Sequence, residues 1–308
     1  MRSKFQPNPP LDFAWLEITN RCNLQCSHCY AESSPYSGEK DLLTVQQYLG
    51  LLQDLHRLGC TKVQFIGGEP TLNRDLPRLI TEARRLGFEF VEVFTNLVAL
   101  DESLLRHFVE NQVAVATSFY SAREEIHDAV TTRKGSFRRT VANIRRVLSA
   151  KLSFRAGIIL MDMNRDHADE TKAFLEALGV ENIGFDHVRQ FGRATGETAC
   201  GMDELCGSCA GGTISIGPDG IVAPCNMSKQ WAVGSVLERP LEAILSSQQL
   251  TDIRHRIHDA VIAPARSAEE LKMTCVPKTC GPYDACCPTT QACGPCAPNG
   301  CSPCAPKG

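Results

Sequence analysis

Between residues 13 and 190 the chain alternates short runs of β-branched and aromatic residues with longer stretches whose apolar positions recur every three or four residues. The short runs are Phe13 to Thr19, Val63 to Ile66, Phe90 to Phe94, Val113 to Phe119, Phe154 to Met161 and Ile183 to His187. Near-continuous apolar runs of this kind suit strands buried on both faces. Between them, Val45, Leu49, Leu52, Leu55 and Leu58 share one helical face, as do Leu76, Leu79, Ile80, Ala83 and Leu86. The two stretches stop at Gly59 and Gly87, where a left-handed residue is expected to end a helix. Strand and helix in regular alternation predict an α/β fold with a parallel sheet. Six units fall short of the eight that close a barrel, so the expected architecture is a partial (β/α)6 barrel.

In such a barrel, chemistry gathers where the strands end, because the loops that follow converge there. Four polar segments occupy those positions: Thr19-Asn20-Arg21 running into a cysteine loop, Gly67-Gly68-Glu69-Pro70, Thr95-Asn96, and Ser118-Phe119-Tyr120. Arg155 and Asn164 flank the fifth strand, and Asp186, His187, Arg189 and Gln190 close the sixth; some of these are expected to face a substrate.

With 43% apolar residues, 22% charged residues and a formal net charge of -3 over 308 residues, the balance is that of an ordinary soluble globular protein. Lys and Arg are interleaved with acids, as in Thr81-Glu82-Ala83-Arg84-Arg85, a solvated helix face rather than a nucleic-acid footprint. The start of the chain lacks a secretory apolar core, and no apolar run reaches the roughly eighteen residues of a membrane span. A cytoplasmic protein with neither nucleic-acid nor membrane partners is therefore expected. That location changes the meaning of its 16 cysteines, because a reducing compartment favours thiols and metal ligands over disulfides. Cys22, Cys26 and Cys29 stand together, Cys60 stands alone as a small core hydrophobe, and the others begin at Cys200. This shift predicts two domains, 1–195 and 196–308, the second ending in a Cys- and Pro-rich tail too poor in large apolar residues to form its own core.

Cys22-Asn-Leu-Gln-Cys26-Ser-His-Cys29-Tyr30 follows a buried strand directly. Three thiolates can hold three irons of a [4Fe–4S] cube and leave the fourth open. Zinc is the plain alternative, but a structural zinc site usually takes four ligands and no fourth Cys lies nearby; His28, between two cysteines, suits packing beside a cluster better. The loop resembles the CxxxCxΦC signature of the radical S-adenosylmethionine superfamily, with His28 at the usually aromatic Φ position. Gly67-Gly68-Glu69-Pro70 is similar to that family's GGEP segment, where backbone approaches the methionine amino group. The resemblance implies a reduced [4Fe–4S] cluster that cleaves S-adenosylmethionine to a 5′-deoxyadenosyl radical, which takes hydrogen from an unactivated carbon. It implies a flavodoxin- or ferredoxin-type electron donor, and makes Thr95, Asn96 and Ser118 candidates for contact with the ribose or the methionine carboxylate, each equally readable as a strand-end cap.

The pair Cys206 and Cys209 precedes an apolar hairpin turning at Pro218-Asp219-Gly220, and Cys225 follows it, so three thiolates can converge on one metal. Cys209, Gly220 and Cys225 resemble the start of the SPASM extension of radical S-adenosylmethionine enzymes, as do Val233-Gly234-Ser235-Val236 and a helix expected from Leu241 to Ile257. One or two auxiliary [4Fe–4S] clusters are implied, completed from the tail by Cys275, Cys280, Cys286, Cys287 and Cys293. Only the step from Cys280 to Cys286 matches the extension's usual spacing, and a zinc ribbon built on Cys293/Cys296 and Cys301/Cys304 is the alternative.

What the resemblance implies of function is oxidative modification or crosslinking of a ribosomally made peptide. Many peptide maturases begin with a leader-binding domain, and the first strand starts near residue 13, so a separate leader-peptide-binding protein is expected to supply that role. A second reading is a dehydrogenase, epimerase or decarboxylase acting on a sugar-like or amino-acid-like metabolite. A third, a non-catalytic iron–sulfur electron carrier, has no use for a Gly-Gly-Glu-Pro segment.

Overall fold

A computed structural model describes residues 8–37, 41–195 and 201–263. The chain runs β1 (Phe13–Glu17), α1 (Val45–Arg57), β2 (Lys62–Ile66), α2 (Leu76–Leu86), β3 (Phe90–Phe94), α3 (Glu102–Glu110), β4 (Ala114–Phe119), α4 (Glu124–Thr131), α5 (Ser136–Ser149), β5 (Phe154–Leu160), α6 (Ala168–Ala177) and β6 (Asn182–His187). There follow β7 (Thr213–Ile216), β8 (Ile221–Ala223), β9 (Gly234–Ser235), α7 (Leu241–Leu245) and α8 (Gln248–Ile257). One sheet has the order β6-β5-β4-β3-β2-β1-β7-β8-β9. The six strands of the βα units pair in parallel, as does β7 with β1, whereas β7-β8-β9 are antiparallel. The sheet is not closed, and the second cysteine region extends it through the hairpin.

Local chemistry sets the element ends. Thr44 and Gln47 form a reciprocal capping box at the start of α1, the Gln47 N–H donating to Thr44 Oγ1 at 3.3 Å and the Thr44 N–H to Gln47 Oε1 at 2.8 Å. Gly87 ends α2 at φ 93, a left-handed conformation that glycine adopts without strain. The first strand stops at Glu17 rather than Thr19 because Asp41 draws the chain aside, accepting from Thr19 Oγ1 at 2.6 Å and the Asn20 N–H at 2.7 Å. At the end of β5 the Asn164 side chain takes the Met161 N–H at 2.7 Å, and the strand stops at Leu160. The single helix expected from Leu241 to Ile257 is two helices, because Ser247 caps the second by accepting from the Leu250 N–H at 3.2 Å. Among the described residues no helix is long and apolar enough to cross a membrane.

The core lies between the helices and the outer sheet face, with Leu52, Leu55, Leu79, Ile80, Phe108 and Ile144 fully buried. Cys60 belongs to it, fully buried, its thiol donating to the Lys62 carbonyl at 3.3 Å. On the inner face, Glu92 receives a two-pronged ion pair from Arg155, both bonds 2.9 Å, together with the Gln64 amide. Arg155 is therefore committed within the barrel, its guanidinium 5.5 Å from the Phe94 ring centre.

Candidate active site

The three-cysteine loop leaves β1 and is held on two sides. From the end of α4, the Val130 carbonyl accepts the Ser27 N–H at 3.0 Å, Thr132 Oγ1 donates to the Gln25 carbonyl at 2.8 Å and Arg133 donates to the Asn23 carbonyl at 2.5 Å. From beyond β6, the Arg193 guanidinium donates to the carbonyls of Cys26 at 2.7 Å and Ser33 at 2.8 Å. Burial pushes the Cys22 and Cys26 thiols up to about 12, and the neighbouring thiols add to the shift; for Cys22 the Glu69 carboxylate adds more. Sulfurs close enough to oppose one another's ionisation, in a site that resists bare thiolates, form a donor set that a cation would deprotonate. Among the described residues no three Cys, His, Asp or Glu side chains are arranged to hold a metal ion. Thiolates that each bind a different iron of a cube stand further apart than ligands crowded round one ion. Tyr120 neighbours Cys26 and favours its thiolate, and the His28 ring meets the Tyr120 ring edge-on at 5.1 Å. Burial lowers His28 to about 4, so its ring is neutral at physiological pH.

Gly67 and Gly68 press on the strand that leads into this loop. A Cβ on Gly67, whose φ is 142, would lie 2.5 Å from the Thr19 carbonyl oxygen, and one on Gly68 would lie 2.2 Å from that of Arg21. The Gly68 and Glu69 N–H groups donate to these same two carbonyls, each at 2.8 Å. Glu69 is fully buried; it accepts from Thr71 and from Thr95 Oγ1, the latter at 2.6 Å, on one oxygen, and from the Asn96 N–H at 2.7 Å on the other. Burial raises its pKa against these donors. The Thr95 hydroxyl is thus spent on Glu69, and Pro70 opens the short 3-10 turn Pro70–Leu72. Asn96 stays half-buried, donating to Asn23 Oδ1 at 2.7 Å and approaching the Cys22 sulfur at 3.7 Å. Ser118, also partly exposed, lies near the end of β4. Asn164 is buried and donates to the carbonyls of Tyr120 and Ile159.

The second cysteine set sits beside the first. Cys209 and Cys225 are buried beside each other; their interaction and burial raise Cys209, whereas the interaction lowers Cys225 against its burial, and Ser228 Oγ accepts the Cys225 N–H at 2.8 Å. Cys206 contacts Ser208 Oγ at 3.3 Å. The hairpin turn docks on the other half of the chain through the Pro218 carbonyl, which takes the N–H groups of Leu42 and Leu43 at 2.7 and 3.0 Å. The segments just after Cys29 and Cys225 help to wall a cavity of about 450 Å³, lined by Asn20, Tyr30, Gly192, Asp219, Asn226 and Lys229 among others. Two contacts tie the two halves of the chain together here. Asn226 donates to the Tyr30 hydroxyl at 3.1 Å, and Lys229 pairs at 2.5 Å with Glu17, whose pKa burial nevertheless raises. Cys275, Cys280, Cys286, Cys287 and Cys293, with the candidate ribbon, lie outside the described residues.

Sequence reasoning singles out the cysteines and the glycine segment but not Arg193, Lys229 or Glu17. The only signal for Arg193 was a Gly-Arg step after the last strand. Lys229 stands in a polar stretch with no periodicity, and Glu17 reads as one acid in an apolar run.

An open, mostly parallel sheet thus carries a three-cysteine loop after its first strand and a second thiol set around an added hairpin. The sequence matches the radical SAM superfamily over residues 16–175 and the SPASM iron–sulfur cluster-binding domain over residues 206–275. The chain belongs to the radical SAM superfamily, which implies a [4Fe–4S] cluster and S-adenosylmethionine, and its SPASM domain implies auxiliary iron–sulfur clusters. It is 24% identical over 296 residues, 85% of the chain and 64% of the relative, to the antilisterial bacteriocin subtilosin biosynthesis protein AlbA of Bacillus subtilis. It is 33% identical over 165 residues, 52% of the chain and 38% of the relative, to that organism's sporulation killing factor maturation protein SkfB. The chain thus spans less than two thirds of the length of these relatives. Streptococcus suis SuiB bound to S-adenosylmethionine shares the fold with a TM-score of 0.65 at 11% identity, over 80% of this chain and 68% of that one. The enzyme anSMEcpe with bound AdoMet does so with 0.62 at 14% identity, over 79% and 82%.

Proposed function

We propose that this chain oxidatively modifies or crosslinks a ribosomally made peptide. The observation that carries the reading is the meeting of the two cysteine segments, where Asn226, next to Cys225, donates to the hydroxyl of Tyr30, next to Cys29. A substrate bound near this junction would lie close both to the site where a radical is made and to a second metal centre able to take an electron. The names of AlbA and SkfB support the peptide class. Cys22, Cys26 and Cys29 would hold three irons of the N-terminal cluster, and Cys206, Cys209 and Cys225 would contribute to the auxiliary one. When bound, the N-terminal cluster with S-adenosylmethionine supplies a 5′-deoxyadenosyl radical. The chain's own residues orient and shield: the backbone of Gly67 to Pro70 frames the methionine end, Glu69 and Thr95 stiffen that frame from beneath, and Asn96 and Ser118 present side chains to the cofactor. The part-exposed Lys229 pairs with the buried Glu17 beside the cavity. A flavodoxin- or ferredoxin-type donor and a separate leader-peptide-binding protein complete the reading.

Anaerobically reconstituted protein, dithionite, S-adenosylmethionine and a short precursor peptide encoded beside the gene test it. The expected result is 5′-deoxyadenosine together with peptide that has lost one H2 per new bond. Formation of 5′-deoxyadenosine with unchanged peptide, alongside consumption of a sugar or amino-acid metabolite, would replace the peptide reading with the small-molecule one.

A further inference from the structure

The segment leaving β6 passes between the two cysteine sets and turns a different side chain to each. Arg189 donates to the Glu204 carbonyl at 2.5 Å, just ahead of Cys206, and pairs with Asp186 at 3.1 Å, both side chains nearly buried. The Gln190 N–H reaches the Glu204 carboxylate at 3.2 Å, and Phe191 meets Trp231 edge-on at 6.2 Å, so this half of the segment is fastened to the auxiliary side. At Gly192 the direction changes. Its φ is 56, and a Cβ there would lie 2.4 Å from the carbonyl oxygens of both Cys29 and Tyr30. Arg193 then faces the N-terminal loop: its N–H donates to the Cys29 carbonyl at 3.1 Å and its guanidinium bridges the Cys26 and Ser33 carbonyls. Among the described residues Arg193 has no carboxylate partner, so its charge is spent on the loop.

We propose that Arg189 and Arg193 are positioning residues for the two metal centres, one each: Arg193 shapes the N-terminal cysteine loop and places positive charge beside it, and Arg189 does the same for the auxiliary thiols. The inference rests on both cysteine sets holding iron–sulfur clusters, not on the identity of the substrate. A positive charge near a cluster stabilises its reduced, more negative form and so raises its potential. Removing Arg189 also takes the guanidinium from Asp186, which keeps only His187 beside it, and an ionised Asp186 pushes the auxiliary centre further in the same direction.

The test is a redox titration of the full-length reconstituted protein, followed by electron paramagnetic resonance without any peptide. The N-terminal centre is recognised by the signal that changes on adding S-adenosylmethionine. Arg193→Gln is expected to move only that midpoint to a more negative value, and Arg189→Gln only the auxiliary one. Arg193→Lys keeps the charge but cannot bridge two carbonyls, so its midpoint should stay near the wild-type value while amide exchange across residues 22–33 of the cluster-free chain quickens. Midpoints unmoved in both Gln variants, or both midpoints moving together in either, would overturn the assignment. With no peptide in the titration, that outcome would leave the peptide reading untouched, just as an inert peptide would leave this one untouched.

Discussion

Gly68 shows how little room a single position can leave. An added methyl would meet the Arg21 carbonyl oxygen at 2.2 Å and that of Asn20 at 2.9 Å, and these are backbone atoms that cannot swing aside. Gly68→Ala must therefore displace the chain just before Cys22. The expected outcome is loss of the spectroscopic change on adding S-adenosylmethionine and a fall in 5′-deoxyadenosine formation on the order of 100-fold, the usual consequence of an ångström-sized misplacement. Gly50, on α1 with nothing within 4 Å of its Cβ position, is the control. Gly50→Ala should leave cleavage intact and stabilise the fold by about 0.5–1 kcal/mol in urea unfolding.

Where α4 meets α5, the decisive group is His127. Its ring is buried against Phe119, Tyr120 and Phe137, its Nδ1 lies 3.2 Å from Ser136 Oγ, and its Nε2 has no hydrogen-bond partner among the described residues. Burial lowers its pKa to about 4, although Asp128 opposes the shift. Below pH 6.5 the unfolded chain takes up a proton that the folded ring refuses until about pH 4, so the stability tied to this group is complete above 6.5 and falls as pH drops toward 4. The loss across that window should be about 3 kcal/mol at most. His127→Phe should flatten this part of the urea midpoint against pH curve, and an unchanged slope would show that the ring does not titrate this way. The same helix end carries Val130, Thr132 and Arg133 to the cysteine loop, which links this packing to the site.

In the molecule as a whole, the open sheet has a polar brace inside it. Arg155 on β5 reaches across β4 to Glu92 on β3, which also holds Gln64 of β2. Glu92's side chain is 2% exposed, so Arg155→Met would leave a buried carboxylate with no cation and should cost about 3–5 kcal/mol. Adding Glu92→Leu should recover most of that loss; equal instability of single and double variants would point to packing instead. The sequence placed Arg155 at the flank of the fifth strand, in a group of which some members are expected to face a substrate, and only the register of β3, β4 and β5 turns it to Glu92.

Much could be read from neighbours along the chain. The spacing of Cys22, Cys26 and Cys29, the Gly-Gly-Glu-Pro step after β2, the hairpin turn at Pro218-Asp219-Gly220 and the six βα units are written within short windows, because turn chemistry, helical periodicity and a loop of thiols depend on residues a few positions apart. What no window contains is the meeting of distant residues. Arg193 reaches Cys26 across 167 positions, and Lys229 finds Glu17 only once β7 has paired with β1. Those contacts follow from which strands lie side by side and in what register, a choice made by burial of the whole sheet and visible in no single stretch of the chain.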